Sequence, residues 1–335
     1  MNIYDIAKLA NVSIATVSRV VNNSPKVSQK TKEKVLAIMQ ENEYTPNAFA
    51  RGLGLGSMKT IGIICPDIAD IYMAKAISYL ERNLHDYGYD CILGCSGFKQ
   101  KEKEDYVKLL LSKKIDTLVL VGSTYAGSGK DESDTDYIRE AAGQAPVFMI
   151  NAKVTGDNIY CTYADDFQAT YEVTKAFLRR GKEKILFMYD SESFSAKQKM
   201  AGYEAALQDA GHPIRGELKF KTKNETEYTK NMLLEYNKTL DFDSVLATED
   251  GIAIGAIKYA KIKGLSIPEE LSITGYNNSI LALCSEPELT SVDSKIGIMC
   301  KKTVERMIDL LENDISIEKN VCVPCEIVRR CTTDF

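Results

Sequence analysis

Histidine is almost absent from this chain of 335 residues, with His85 and His212 the only two. A His-based catalytic triad is therefore not suggested, although Ser191, Ser193 and Ser195 cluster. The same scarcity argues against zinc. Cys322 and Cys325 form one CxxC, but there is no second, and both His lie far from it in sequence. A structural zinc wants four closely spaced ligands. A Walker-type phosphate loop is also lacking. The adjacent carboxylates Glu249 and Asp250 sit at a helix start, where acids usually serve as caps. No apolar run is long enough to cross a membrane. The opening MNIYDIAKLA carries Asp5 and Lys8 and has no signal-peptide core, so a cytoplasmic protein is expected. The nine Cys fall mostly in apolar runs such as IGIICP (Cys65) and YDCILGC (Cys91). They read as buried free thiols of a reducing compartment. An enzyme is not expected, nor is a metal or any other cofactor.

What is present is an ordinary globular composition, 44% hydrophobic and 27% charged, in a chain long enough for two or three domains. Its charge is unevenly spread. Residues 1–60 hold eight Lys/Arg and four acids, a balance of +4, which leaves −9 for the rest of a chain whose total is −5. A basic head on an acidic body suits a polyanion partner. Within the head, Ile3, Ile6, Ala7 and Ala10 fall at helical spacing. Asn11 and Val12 form a tight break. Ser13 caps a second helix to about Val21, with Val12, Val17, Val20 and Val21 inward. Ser28 caps a third through about Asn42, with Val35, Leu36 and Met39 inward. Three short helices with a tight turn make a helix-turn-helix unit. Its second helix offers Ile14, Ala15, Ser18 and Arg19 outward. Small side chains allow close approach to the major groove, and Arg can bond guanine through two hydrogen bonds.

The stretch YTPNAFARGLGLGS follows, with Thr45 able to cap and Pro46 suited to a first helical position. So short a helix is marginal alone. Its Gly-x-Gly-x-Gly precedes a strand, so it is not a dinucleotide loop. It reads as a linker at about 46–54 between head and body.

The motifs IYDIAKLANVSIATVSRVVNN, KVSQKTKEKV and YTPNAFARGL resemble the DNA-binding head of the lactose-repressor/galactose-repressor (LacI/GalR) family of bacterial regulators. The resemblance continues more loosely through the whole chain. It implies a homodimer on palindromic double-stranded operator DNA. Carried onto matching positions, it implies that Ile14, Ala15 and Arg19 read bases. Tyr4, Ser13, Thr16, Ser18, Asn22, Ser28 and Thr31 would hold or approach phosphates. Asn47, Ala48 and Arg51 would enter the minor groove with the hinge helix, and Leu53 would wedge the central base step.

Beyond residue 57 the pattern changes. Strand-like IGIIC, DCILGC, TLVLVG and PVFMIN alternate with helical segments at about 72–87 and 101–113. KILFMYD, SVLAT and LSITGY follow, with helices at about 196–211, 226–239 and 252–263. Such alternation predicts parallel-sheet α/β lobes. The fold expected is thus an all-α helix-turn-helix head (1–57) plus a two-lobed, periplasmic-binding-protein-like α/β body (58–335). The resemblance places lobe one at about 60–160 and 292–320, and lobe two at about 161–289 and 321–335.

Lobes of this kind bind ligands at the C-terminal ends of their strands. Candidates there are Tyr72, Met73, Asn151, Lys197, Lys199, Glu249 and Asn277. Family members commonly have Arg near Lys197 and Lys199, Asn at Glu249 and Asp at Asn277, so a typical neutral sugar does not follow automatically. Tyr72 could stack on a ring or simply pack at a helix start. Asp165 and Asp166 match a common acidic–Asn pair and could equally be caps.

The function expected is a ligand-responsive repressor of a carbohydrate-related operon, its effector a sugar or sugar phosphate. A solute-binding protein would have no use for the head. The alternative is a catabolite-control-type regulator answering to a phosphorylated phosphocarrier protein. The chain ends soon after the last expected strand, with no heptad tail, so a dimer is expected rather than a coiled-coil tetramer.

Overall fold

The computed structural model describes residues 1–21, 24–44, 57–127, 132–236, 241–313 and 315–335. The head is built from α1 (Ile3–Ala10), α2 (Ile14–Val21) and α3 (Gln29–Glu41). Each begins at a polar cap. Asn2 accepts from the Tyr4 and Asp5 amides at 2.9 and 3.1 Å, and Asp5 accepts from the Asn2 amide at 2.9 Å, a reciprocal capping box. Asn11 ends α1 in the left-handed region (φ 51°) and makes the tight break before Val12. Ser13 Oγ accepts from the Thr16 amide at 3.1 Å, and Ser28 Oγ from the Thr31 amide at 3.3 Å. Ile6, Ala7, Ala10, Val17, Val20, Val35 and Met39 form the core, with Val12 and Val21 half-buried against it. Leu36 corrects the expectation: it is 45% exposed. One residue beyond Val35 is a rotation of about 100°, which carries it off the core face.

The body holds two sheets. Lobe one uses β1 (Thr60–Cys65), β2 (Asp90–Cys95), β3 (Thr117–Val121), β4 (Val147–Ile150), β5 (Ile159–Ala164) and β11 (Asn320–Val323), in the order β11-β5-β4-β3-β1-β2. Its helices are α4 (Ile71–Asp86), α5 (Gln100–Leu111), α6 (Asp136–Ala142) and α12 (Ile296–Glu312). Lobe two uses β6 (Ile185–Tyr189), β7 (Lys219–Lys221), β8 (Ser244–Ala247), β9 (Ser272–Tyr276), β10 (Thr290–Asp293) and β12 (Glu326–Val328), in the order β12-β10-β9-β8-β6-β7. Its helices are α7 (Asp166–Arg179), α8 (Phe194–Asp209), α9 (Thr226–Tyr236), α10 (Asp250–Lys263) and α11 (Ile280–Cys284). Pairing is parallel except between β10 and β12. Central strands such as β3 and β4 are buried throughout, because helices cover both faces of a parallel sheet.

The chain changes lobe between β5 and α7, between β10 and α12, and between β11 and β12. These points shift the expected boundaries. β5 runs to Ala164, paired with Val323, so the first lies after 164 and not at 161. β10 keeps residues 290–293 in lobe two, and β11 keeps 320–323 in lobe one. A ladder holds a strand along its whole length, and hydropathy does not show where the ladder stops. Among the described residues, no helix is long and apolar enough to cross a membrane.

Candidate functional site

Two surfaces concern function. The first is on the head. Tyr4 is 66% exposed and Ile14 41%. Ala15 and Arg19 are exposed on the same α2 face, with Ser18 half-buried beside them. The spacing of 14, 15, 18 and 19 puts them together, opposite Val17 and Val20. Two helix N-termini of the head, those of α2 and α3, carry paired hydroxyls. Ser13 Oγ lies 2.9 Å from Thr16 Oγ1, and Ser28 Oγ lies 2.8 Å from Thr31 Oγ1. Helix N-termini carry partial positive charge and unpaired amides, which suit phosphate. Asn22, Asn47, Ala48, Arg51 and Leu53 lie outside the described residues.

The second is a cleft of about 690 Å³ between the lobes, within the usual range for small-molecule sites. Tyr72, Met73, Asn151, Lys199, Glu249 and Asn277 line it; Asn151, Glu249 and Asn277 come just after strands, Tyr72 and Met73 from the first turn of α4, and Lys199 from within α8. Lys197 does not belong with them: it lies on the exposed side of α8, while Lys199 is buried. Residues two apart on a helix face nearly opposite ways. Tyr72 has both roles weighed for it, since it packs against the lobe-one core and also meets the cleft.

Other cleft residues escape a sequence reading. Asp70 caps α4, accepting from the Met73 amide at 3.0 Å. Asp190 follows β6, and Asn224 follows β7. Ser123 of lobe one donates to Ser193 Oγ of lobe two at 2.9 Å. The signal for Asp190 was available in KILFMYD, which ends on it. Asn224 had none, because β7 is only the tripeptide KFK.

Beneath the cleft floor lies a buried polar network. Asp166 accepts from Ser195 Oγ at 2.5 Å and from the Tyr276 hydroxyl at 2.6 Å. Lys199 Nζ donates to the Thr248 carbonyl at 3.0 Å and stands 3.6 Å from the Tyr276 ring centroid. Burial raises the Asp166 carboxyl, while the Lys199 charge and the two hydroxyls pull it back down. Asp166 thus both starts α7 and holds the Ser195 and Tyr276 hydroxyls. The neighbouring Asp165 is the cap, accepting from the Gln168 amide at 3.1 Å.

Glu249 accepts from Asn277 Nδ2 at 2.6 Å. Burial holds its carboxyl well above the usual range; Lys199 opposes this, and Asp190, Asp70 and Asp250 add to it. Asp70 is also raised, by burial first, against the pull of the Met73 and Tyr72 amides. Asn151 and Asn277 both sit at positive φ, 59° and 89°, at strand ends, a conformation Asn tolerates better than most residues.

The cysteines depart from expectation. All nine are free, but only Cys65, Cys161 and Cys300 are buried; Cys95, Cys284, Cys322 and Cys331 are exposed. Cys95 ends β2, the edge strand of its sheet, where apolar patterning does not guarantee cover. Among the described residues, no three His, Cys, Asp or Glu side chains gather as metal ligands.

Comparison with known proteins agrees with this architecture. Residues 2–47 match the family of bacterial regulatory proteins, lacI family, and residues 58–331 match periplasmic binding proteins and the sugar-binding domain of the LacI family. An HTH-type transcriptional regulator of Lachnoclostridium phytofermentans is 45% identical over 100% of both chains. Catabolite control protein A of Priestia megaterium is 30% identical over 87% of each. Among solved structures, the lac repressor dimer bound to operator and an anti-inducer superposes with a TM-score of 0.88 at 22% identity, covering 99% of this chain and 98% of that one. These relatives are DNA-binding transcriptional regulators and not enzymes. The chain belongs to the LacI family of bacterial transcriptional regulators.

Proposed function

We propose that this regulator is a repressor of a carbohydrate-related operon, binding a palindromic operator as a homodimer and taking a small effector in the inter-lobe cleft. The observation that carries the reading is the exposed face of α2, in a head that also presents two hydroxyl-bearing helix N-termini. Ile14, Ala15 and Arg19 read base edges. Tyr4, Ser13, Thr16, Ser18, Asn22, Ser28 and Thr31 hold or approach the phosphates that fix register. The hinge residues Asn47, Ala48 and Arg51 enter the minor groove, with Leu53 as the wedge. Tyr72, Met73, Asn151, Lys199, Glu249 and Asn277 contact the effector. Effector shifts DNA affinity only through its differential binding to two lobe arrangements.

The test is selection of bound duplexes from a random DNA library at about 150 mM salt, where non-specific binding is weak. A palindrome with a pyrimidine–purine step at its centre is expected; no enrichment, with or without a mixed effector pool, would overturn the reading. Leu53→Ala should reduce operator affinity by about tenfold or more while changing non-specific affinity little. Equal losses on both DNAs would sink the wedge assignment.

A second reading is a catabolite-control-type regulator responding to a phosphorylated phosphocarrier protein. It is supported by the 30% identity with catabolite control protein A. Titrating operator-bound protein with sugars and, separately, with that phosphoprotein distinguishes the two.

A further inference from the structure

Two of the nine cysteines face each other at the edge of the lobe-one sheet. β1 and β2 run parallel with Cys65 opposite Cys95, each the last residue of its strand. Register partners in a parallel pair share a face of the sheet, and their strands lie about 4.7–4.9 Å apart. A disulfide spans Cα atoms about 4.4–6.8 Å apart, so the two backbones already stand at bridging distance. The two thiols also interact with each other through a hydrogen bond. Among the described residues, no other strand pair sets two cysteines opposite each other.

The pair is asymmetric. Cys65 is buried in the core with Ile61 and Ile63, whereas Cys95 is exposed. Burial first, and Cys95 next, push the Cys65 thiol up to about 12. An oxidant from solvent therefore meets Cys95 first, and Cys65 is placed to resolve the product. The loops that leave the two strands are already joined. The Ser96 amide donates to the Cys65 carbonyl and the Gly97 amide to the Pro66 carbonyl, both at 2.9 Å. These loops carry Pro66, Asp67, Asp70 and Phe98 to the wall of the cleft.

We propose that Cys65 and Cys95 are a peroxide-reactive pair whose reversible intrachain disulfide stiffens the lobe-one wall of the cleft. The Cys95 thiolate attacks one oxygen of hydrogen peroxide. The O–O bond breaks, Cys95 becomes a sulfenic acid, and the departing hydroxide takes a proton to become water. Cys65 Sγ then attacks the Cys95 sulfur. The S–O bond breaks, and the Cys65 proton leaves with the hydroxyl as a second water. Two thiols lose two electrons in all, and one peroxide is reduced to two waters. A disulfide exposed on one side is of the readily reduced kind, so a dithiol restores both thiols.

The experiment treats the full chain with hydrogen peroxide and maps its cysteines by mass spectrometry. The expected product is about 2 Da lighter than the reduced chain, with the peptides of Cys65 and Cys95 cross-linked, and dithiothreitol should reverse it. Cys65→Ala should leave a Cys95 sulfenic acid that dimedone traps, and Cys95→Ser, at an exposed position, should abolish the cross-link. Hydrogen exchange of the amides at 66–70 and 96–99 should slow by about threefold or more in the oxidised chain. Pairing of Cys322 with Cys325 in place of this bond overturns the proposal, as does a cross-link between two copies of the chain. So does a Cys95 oxidised without bridging, or a chain that peroxide leaves reduced. The expected cross-link with unchanged exchange in those two loops overturns the stiffening.

Discussion

Glu249 shows how one side chain can serve a site at the expense of the fold. Its carboxyl is raised by burial and by Asp190, Asp70 and Asp250. A raised carboxyl binds its proton more tightly in the folded state than in the unfolded chain. Stability is therefore fully present below the unfolded value and is lost as pH rises through the folded value. Glu249→Gln removes that loss and can still accept from Asn277. The variant should melt about 2–4 °C above wild type at pH 8, the shift expected of ~1 kcal/mol in a lobe-sized unit. At about pH 4 the two should melt together, where an ordinary carboxylate is largely protonated. A constant difference at both pH values would mean that packing, and not charge, sets it. Single residues also mark the limits of sequence reading. Glu249 and Asn277 were legible as cleft residues because they end strands, and Lys197 was misplaced because SAKQKM does not say which lysine faces in.

Legibility at the level of elements followed their length and apolar content. The helices of the head declared themselves through caps and spacing, and β1, β3, β4 and β8 through unbroken apolar runs. β5 (IYCTYA) mixes polar residues into a buried strand, and β7 and β12 have three residues each, too few for a pattern. Helix–helix approach was equally hidden. α7 and α8 meet at Gly202, where a Cβ would stand 2.1 Å from the Phe167 carbonyl oxygen and 2.4 Å from Thr170 Oγ1. Thr170 Oγ1 also donates to the Lys199 carbonyl at 2.8 Å. Gly202→Ala must push the two helices apart and should cost about 1–3 kcal/mol, read as a lower urea midpoint with an unchanged slope. Because Lys199 rides on the same helix, effector affinity should fall with it. A stability loss below about 0.5 kcal/mol would show that the helices separate easily.

For the whole molecule, the division of charge matters most. A head with a balance of +4 meets phosphate while the body, at −9, repels it. Specific binding should therefore be strongly salt-dependent. If two heads make about six to ten phosphate contacts, operator affinity should fall by roughly 10³–10⁵ between 50 and 200 mM salt. Fluorescence anisotropy at a series of salt concentrations measures the slope, and a nearly flat response would exclude a phosphate-dominated interface. The three crossings between lobes serve the other half of the function. Lys295, beside the second crossing, pairs with Asp293 and with Glu326 beside the third, so two of the crossings are tied together where the lobes would bend.

By itself, the sequence determined the helix-turn-helix head, the α/β character of the body and the family. Each of these rests on local periodicity, caps and short motifs, which neighbouring residues set among themselves. Only the tertiary structure decided which strands close each sheet, where the chain changes lobe, and that Asp70, Asp190 and Glu249 share one cleft. Those residues lie 120 and 59 positions apart. What brings them together is the pairing of strands and the packing of two lobes, interactions between distant segments that leave no periodic trace in the chain.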